Sequence, residues 1–136
     1  MKRLVLLCFT IAGCAALAEP RTWAFVTSVG GISIQAPQRS GKGWVLPVLA
    51  NVSGIEAISV KPTLINSALI CENTRAVVEG RSIFLTIETG LARKGTEVRC
   101  PPGVLGSIAP GRYRVFYQGP GESAVPLGIV DVAFSR

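Results

Sequence analysis

Residues 79–88, Glu-Gly-Arg-Ser-Ile-Phe-Leu-Thr-Ile-Glu, constrain the fold more than any other part of the chain. Ile83, Leu85 and Ile87 recur at every second position, while Ser82, Thr86 and Glu88 occupy the opposite phase. Period two is the signature of a strand with one buried face. Phe84 is the lone apolar residue on the second face. The Glu79-Gly80-Arg81-Ser82 segment is a compact hairpin signal, following the mixed stretch 67–78.

Similar signals recur along the chain with turn punctuation between them. Trp23, Phe25 and Thr27 alternate with Thr22, Ala24, Val26 and Ser28, which predicts a strand that Gly30-Gly31 ends. A short strand over 32–35 is followed by 37–43 (PQRSGKG), a loop by composition. The apolar run 44–52 contains Pro47, which lacks an N–H for a ladder and so marks an edge or a bulge. Residues 55–60 alternate again, 93–95 form a basic loop, and Pro110-Gly111 suits a type II turn before a strand over 112–117. A last strand covers about 125–134. No segment sustains a 3.6-residue apolar period with caps, so helices are expected to be short or absent. Seven to nine short strands predict an all-β domain, a sandwich or else a small β-barrel.

The N-terminus reads as an export signal. Met1, Lys2 and Arg3 precede an apolar run over 4–12, which is too short for a transmembrane helix of ~20 apolar residues, and small residues follow. Two cleavage motifs overlap here. Ala16-Leu17-Ala18 predicts a soluble product starting at Glu19, whereas Ile11-Ala12-Gly13-Cys14 resembles a lipobox and would leave Cys14 lipidated. The apolar character of 15–18 is unlike a lipoprotein tether, which favours the soluble form: signal peptide 1–18, one domain 19–136, periplasmic or extracellular. A lipid-anchored envelope lipoprotein is the alternative, and a membrane association is expected only in that case. Loss of Lys2 and Arg3 lowers the formal charge from +6 to +4, enough for solubility and for attraction to anionic surfaces. Cys8 and Cys14 lie in the signal, so Cys71 and Cys100 remain as an even pair expected to form a disulfide. Two sulfurs in a chain with no His do not complete a metal site.

The tail 105–134 carries a Pro-Gly turn before a Tyr-bearing strand, and in this it resembles the last hairpin of small exported bacterial immunoglobulin-like β-sandwich proteins of unassigned role. The resemblance covers about a quarter of the chain and implies an immunoglobulin-like sandwich. It implies no functional residue. Cys100 lies before the turn and Cys71 is followed by no core Trp, so the inter-sheet cysteine arrangement of antibody domains does not carry over.

Chemistry is sparse. The absence of His removes the usual Ser or Cys triads, and no cofactor motif stands up: in 36–43 Ala36 replaces the Gly that a phosphate loop requires, and Gly43 replaces its Ser or Thr. Ser40 and Lys42 lack an oxyanion hole, and the carboxylates are scattered singly. The expectation is therefore a non-enzyme without a cofactor and without a nucleic-acid partner. Alternation over 112–117 places Tyr113, Val115 and Tyr117 on one face and Arg112, Arg114 and Phe116 on the other. If the tyrosine face is core, the second is a basic and aromatic strip suited to sugars, phosphates or carboxylates. Arg112, Arg114 and Phe116 are the candidate ligand contacts, with Arg39 and Lys42 of the 37–43 segment beside them. The expected function is an exported binding module of the cell envelope, its partner an envelope protein or polysaccharide. The alternative is a small secreted inhibitor of a hydrolase that presents 37–43 or 91–95.

Overall fold

A computed structural model describes residues 18–50, 69–91 and 100–134. The leader with Cys14, the expected strand at 55–60 and the basic segment 93–95 lie outside the described residues. In chain order the elements are β1 (Glu19–Pro20), α1 (Trp23–Ser28), β2 (Ile32–Ile34), β3 (Gln38–Ser40), β4 (Gly43–Leu46), β5 (Val48–Ala50), β6 (Leu69–Glu79), β7 (Ser82–Leu91), β8 (Gly103–Gly106), β9 (Gly111–Tyr117) and β10 (Val125–Val132). The protein is all-β, with mixed sheets and one disulfide.

The alternating strand β7 is the hub. Its Ile83, Leu85 and Ile87 are wholly buried. β6 pairs with it antiparallel through the Gly80-Arg81 turn, in which Gly80 takes φ +58°. A two-residue hairpin needs a positive φ at its first central position when the second is negative, and glycine adopts it without strain. Along its other edge β7 changes neighbour. Ser82 to Leu85 pair with β9 in parallel, and then Glu88 and Thr89 pair with β1 antiparallel. β10 completes the sheet against β9, with a register shift between Pro126 and Gly128.

The other strands form the three-stranded sheet β3-β4-β8 and the pair β2-β5. Pro47 separates β4 from β5. Before it the chain pairs with β3 and β8, and after it with β2, so the residue without an N–H sits where the ladder must break. Its carbonyl still accepts from the Gln35 N–H at 3.0 Å.

One buried cluster joins the three sheets. Ile83, Leu85 and Ile87 of β7, Tyr113, Val115 and Tyr117 of β9, and Val130 and Val132 of β10 pack with Trp44 and Leu46 of β4, Val48 of β5 and Leu105 of β8 in one cluster. Burial of each such side chain contributes roughly 1.5 to 3 kcal/mol, and these terms dominate the stability of the fold. Cys71 of β6 and Cys100 are bonded, with Cα atoms 4.9 Å apart and a sequence separation of 29. The bond closes a loop whose restriction in the unfolded chain is worth roughly 3 to 4 kcal/mol. Bonds of this kind form and persist in oxidising compartments.

Two local expectations are corrected. Residues 23–28 form a helix in place of the expected strand. Over six residues both periods fit, since Trp23, Val26 and Val29 share a helical face as readily as Trp23 and Phe25 share a strand face. The caps decide. Thr22 Oγ1 accepts from the Phe25 N–H at 3.2 Å, the Glu122 carboxylate accepts from the Trp23 N–H at 2.8 Å, and the Gly31 N–H closes the far end on the Val26 carbonyl at 2.8 Å. The Glu122 partner lies 99 residues away, out of reach of any local reading. The second correction concerns 37–43, which is no open loop: Gln38, Arg39 and Ser40 pair with Val45, Trp44 and Gly43 around a two-residue Gly41-Lys42 turn.

Candidate functional site: the exposed face of the five-stranded sheet

Once Tyr113, Val115 and Tyr117 are fixed in the core, strand alternation sends Arg112, Arg114 and Phe116 to the opposite face. The parallel register of β7 with β9 sets Ser82 beside Arg114 and Phe84 beside Phe116. The two phenyl rings stack, with centroids 5.4 Å apart and planes 19° from parallel. Val77 of β6 lies opposite Phe84, and Pro126 of β10 lies opposite Phe116. An apolar row thus crosses four strands, with an open cleft to either side.

One cleft, of 460 Å³, is lined by Arg81, Ser82, Arg112, Arg114 and Ile129. The Arg81 guanidinium is fixed at its rim, donating to the Pro110 carbonyl at 2.9 Å and lying 5.1 Å from the Tyr113 ring centroid. Arg112 is held by Asp131 at 3.2 Å. Arg114 makes no ion pair or side-chain hydrogen bond among the described residues; only its backbone is engaged, its N–H donating to the Arg81 carbonyl at 2.9 Å. On the far side of the phenyl rings a cleft of 280 Å³ is lined by Arg75, Val77, Glu79, Phe84, Thr86 and Gln118. There the cation is matched, because Arg75 pairs with Glu88 at 3.5 Å. The positive potential of the face is therefore concentrated on the Arg114 side.

The described lining offers planar cations, a hydroxyl and apolar surface. A planar guanidinium and an aromatic stack on paired strands favour planar hydrogen bonding and stacking on a ligand. Among the described residues no group of three His, Cys, Asp or Glu is placed to hold a metal ion.

The other two sequence candidates stand apart from this face. Arg39 lies on β3 of the three-stranded sheet with its guanidinium 5.3 Å from the Trp44 ring centroid, and Lys42 occupies the exposed β3–β4 turn. Neither lines the cleft that holds Arg112 and Arg114. The structure instead adds Arg81, Ser82, Phe84 and Ile129. Phe84 carried a sequence signal, as the apolar residue out of phase on its strand; Arg81 carried none, since it looked like a turn residue only.

No protein-family model, curated protein or solved structure matches this chain.

Proposed function

We propose that this protein is a non-catalytic binding module of the bacterial cell envelope, which captures an anionic or sugar-bearing envelope partner on the face formed by Arg112, Arg114 and Phe116. The observation that carries the reading is the Arg114 guanidinium, without a side-chain partner among the described residues, near the stacked Phe84 and Phe116 rings on a sheet face that no described element covers. Side chains on paired strands hold their directions, so little order is lost when a ligand docks.

The fold reading that accompanies it is an immunoglobulin-like sandwich. Its support is the corner at the start of β9, where the Tyr113 hydroxyl donates at 2.6 Å to the Ala109 carbonyl four residues upstream, across Pro110-Gly111. The parallel β7–β9 pairing is a departure from the antiparallel sheets of that class. Export as a soluble periplasmic protein accords with the Cys71–Cys100 bond and with pairing that begins at Glu19, directly after the Ala16-Leu17-Ala18 motif.

Capture from envelope extracts tests the function. Arg114→Glu is expected to abolish capture while the fold persists, because an exposed charge change shifts stability by only about 0.5 kcal/mol. Equal capture by wild type and variant would remove this face. A second reading, an inhibitor that inserts the β3–β4 hairpin into a hydrolase, draws on the exposure of Gln38, Arg39, Ser40 and the Gly41-Lys42 turn on a paired scaffold. Loss of capture only on replacement of 37–43 would favour it.

A further inference from the structure

We infer that the cleft between the start of β7 and β9 is a site for a tetrahedral phosphate-type oxyanion, held by Arg114, Arg81 and Arg112 with the Ser82 hydroxyl. The inference rests on the binding reading above and names the ligand chemistry that this face would take.

Arg81 of the β6–β7 turn, Arg112 near the start of β9 and Arg114 in its middle line one cleft of about 460 Å³. Among the described residues the nearby carboxylates are Asp131, which pairs with Arg112, and Glu79, which lies opposite Ser82 on β6 and lines the other cleft. Positive charge is left over. A carboxylate ligand would be satisfied by one bidentate arginine, whereas a phosphate presents more acceptor oxygens than one planar fork can meet. Arginines on a turn and at two positions of a strand, with a hydroxyl beside Arg114, offer donors for that larger demand.

The cleft is also organised in advance. Arg81 is fastened by the Pro110 carbonyl and the Tyr113 ring, and its guanidinium lies against the backbone of Gly111, where an added Cβ would come within 2.5 Å of Nη1. Arg112 pairs with Asp131 on the open surface. Among the described residues the Arg114 guanidinium has no side-chain partner, which leaves it available to a ligand. A pre-positioned Arg81 reduces the ordering cost of binding. Ile129 lines the cleft, so the phosphate would be an ester whose organic part rests on apolar surface.

Two sources share this chemistry, a soluble phosphate ester and a lipid headgroup, and one titration separates them. The oxidised protein is titrated at constant ionic strength with inorganic phosphate and, separately, with phosphatidylcholine vesicles with and without phosphatidic acid. Backbone amide shifts are followed for wild type, Arg114→Gln and Arg39→Gln. The site predicts saturable shifts confined to residues 81–84 and 112–116, roughly tenfold weaker binding in Arg114→Gln, and unchanged binding in Arg39→Gln. A response to phosphate alone assigns a soluble ester, and an added or exclusive response to phosphatidic acid vesicles assigns a lipid. Shifts that never saturate, spread over the surface or persist equally in Arg114→Gln overturn the site. Loss of extract capture in Arg114→Glu without binding of either probe would reject the phosphate assignment and leave the binding face standing.

Discussion

The Tyr117 hydroxyl donates to the Arg21 carbonyl at 2.5 Å and accepts from the Ile87 N–H at 3.3 Å. It lies where β7 exchanges β9 for β1 as its neighbour: the Gln118 N–H reaches the Leu85 carbonyl, and the Arg21 N–H reaches the Ile87 carbonyl. Between those two ladders the backbone leaves a gap. A phenol spans it, with the Trp23 ring 5.6 Å away as its cover.

Tyr117→Phe should therefore leave a buried amide and a carbonyl without their partner and cost about 1 to 3 kcal/mol. The variant should also lose an alkaline transition. Burial, above all, raises the Tyr117 phenol above its ordinary 10.0. Above about pH 10 the unfolded chain releases a proton that the folded protein retains, so stability is complete below that pH and falls as pH rises. Urea unfolding of wild type and variant at neutral pH and near pH 11 checks both parts; the difference between them should shrink at the higher pH.

Thr74 offers the opposite sign. It is 2% exposed, and its hydroxyl has no hydrogen-bond partner among the described residues. Thr74→Val keeps the shape and removes the orphaned group, which should stabilise the protein by about 1 kcal/mol. A urea midpoint that moves upward at constant slope would show it; a downward shift would mean that the hydroxyl has a partner in solution.

Glu122 is expected to matter more than its place in a surface loop suggests. Its carboxylate receives the Trp23 N–H at the start of α1, and its backbone carbonyl receives the Gln118 side-chain amide. Glu122→Ala should cost about 1 kcal/mol, a value typical of lost helix caps, and should raise hydrogen exchange at Trp23 and Ala24 ahead of the rest of the chain.

Reduction of Cys71–Cys100 should lower stability by roughly 3 to 4 kcal/mol. Thiol titration before and after reduction, paired with urea unfolding, measures it. Free thiols in the untreated folded protein would refute the bond.

What the sequence disclosed, and what it withheld, follows from the range of each interaction. The inward set Ile83, Leu85, Ile87 and the outward set Arg112, Arg114, Phe116 were legible because alternation is a property of a single strand. The cysteine pair was legible from parity once the leader cysteines are set aside. The helix at 23–28 was not, since six residues fit both periods and its decisive Glu122 contact is remote in sequence. Nor was the association of Phe84 with Phe116, which depends on parallel pairing between strands that are not consecutive. Arg39 and Lys42 were grouped with the site by charge alone, and charge does not report which sheet a residue occupies.

The account stands or falls on whether a partner covers Arg114. Arginine-directed labelling by phenylglyoxal, followed residue by residue with mass spectrometry, reads this in the unmutated protein with and without envelope extract. The account predicts that extract slows modification of Arg114 and leaves Arg39, on the other sheet, unaffected. Protection of Arg39 with Arg114 modified at its free rate would contradict it.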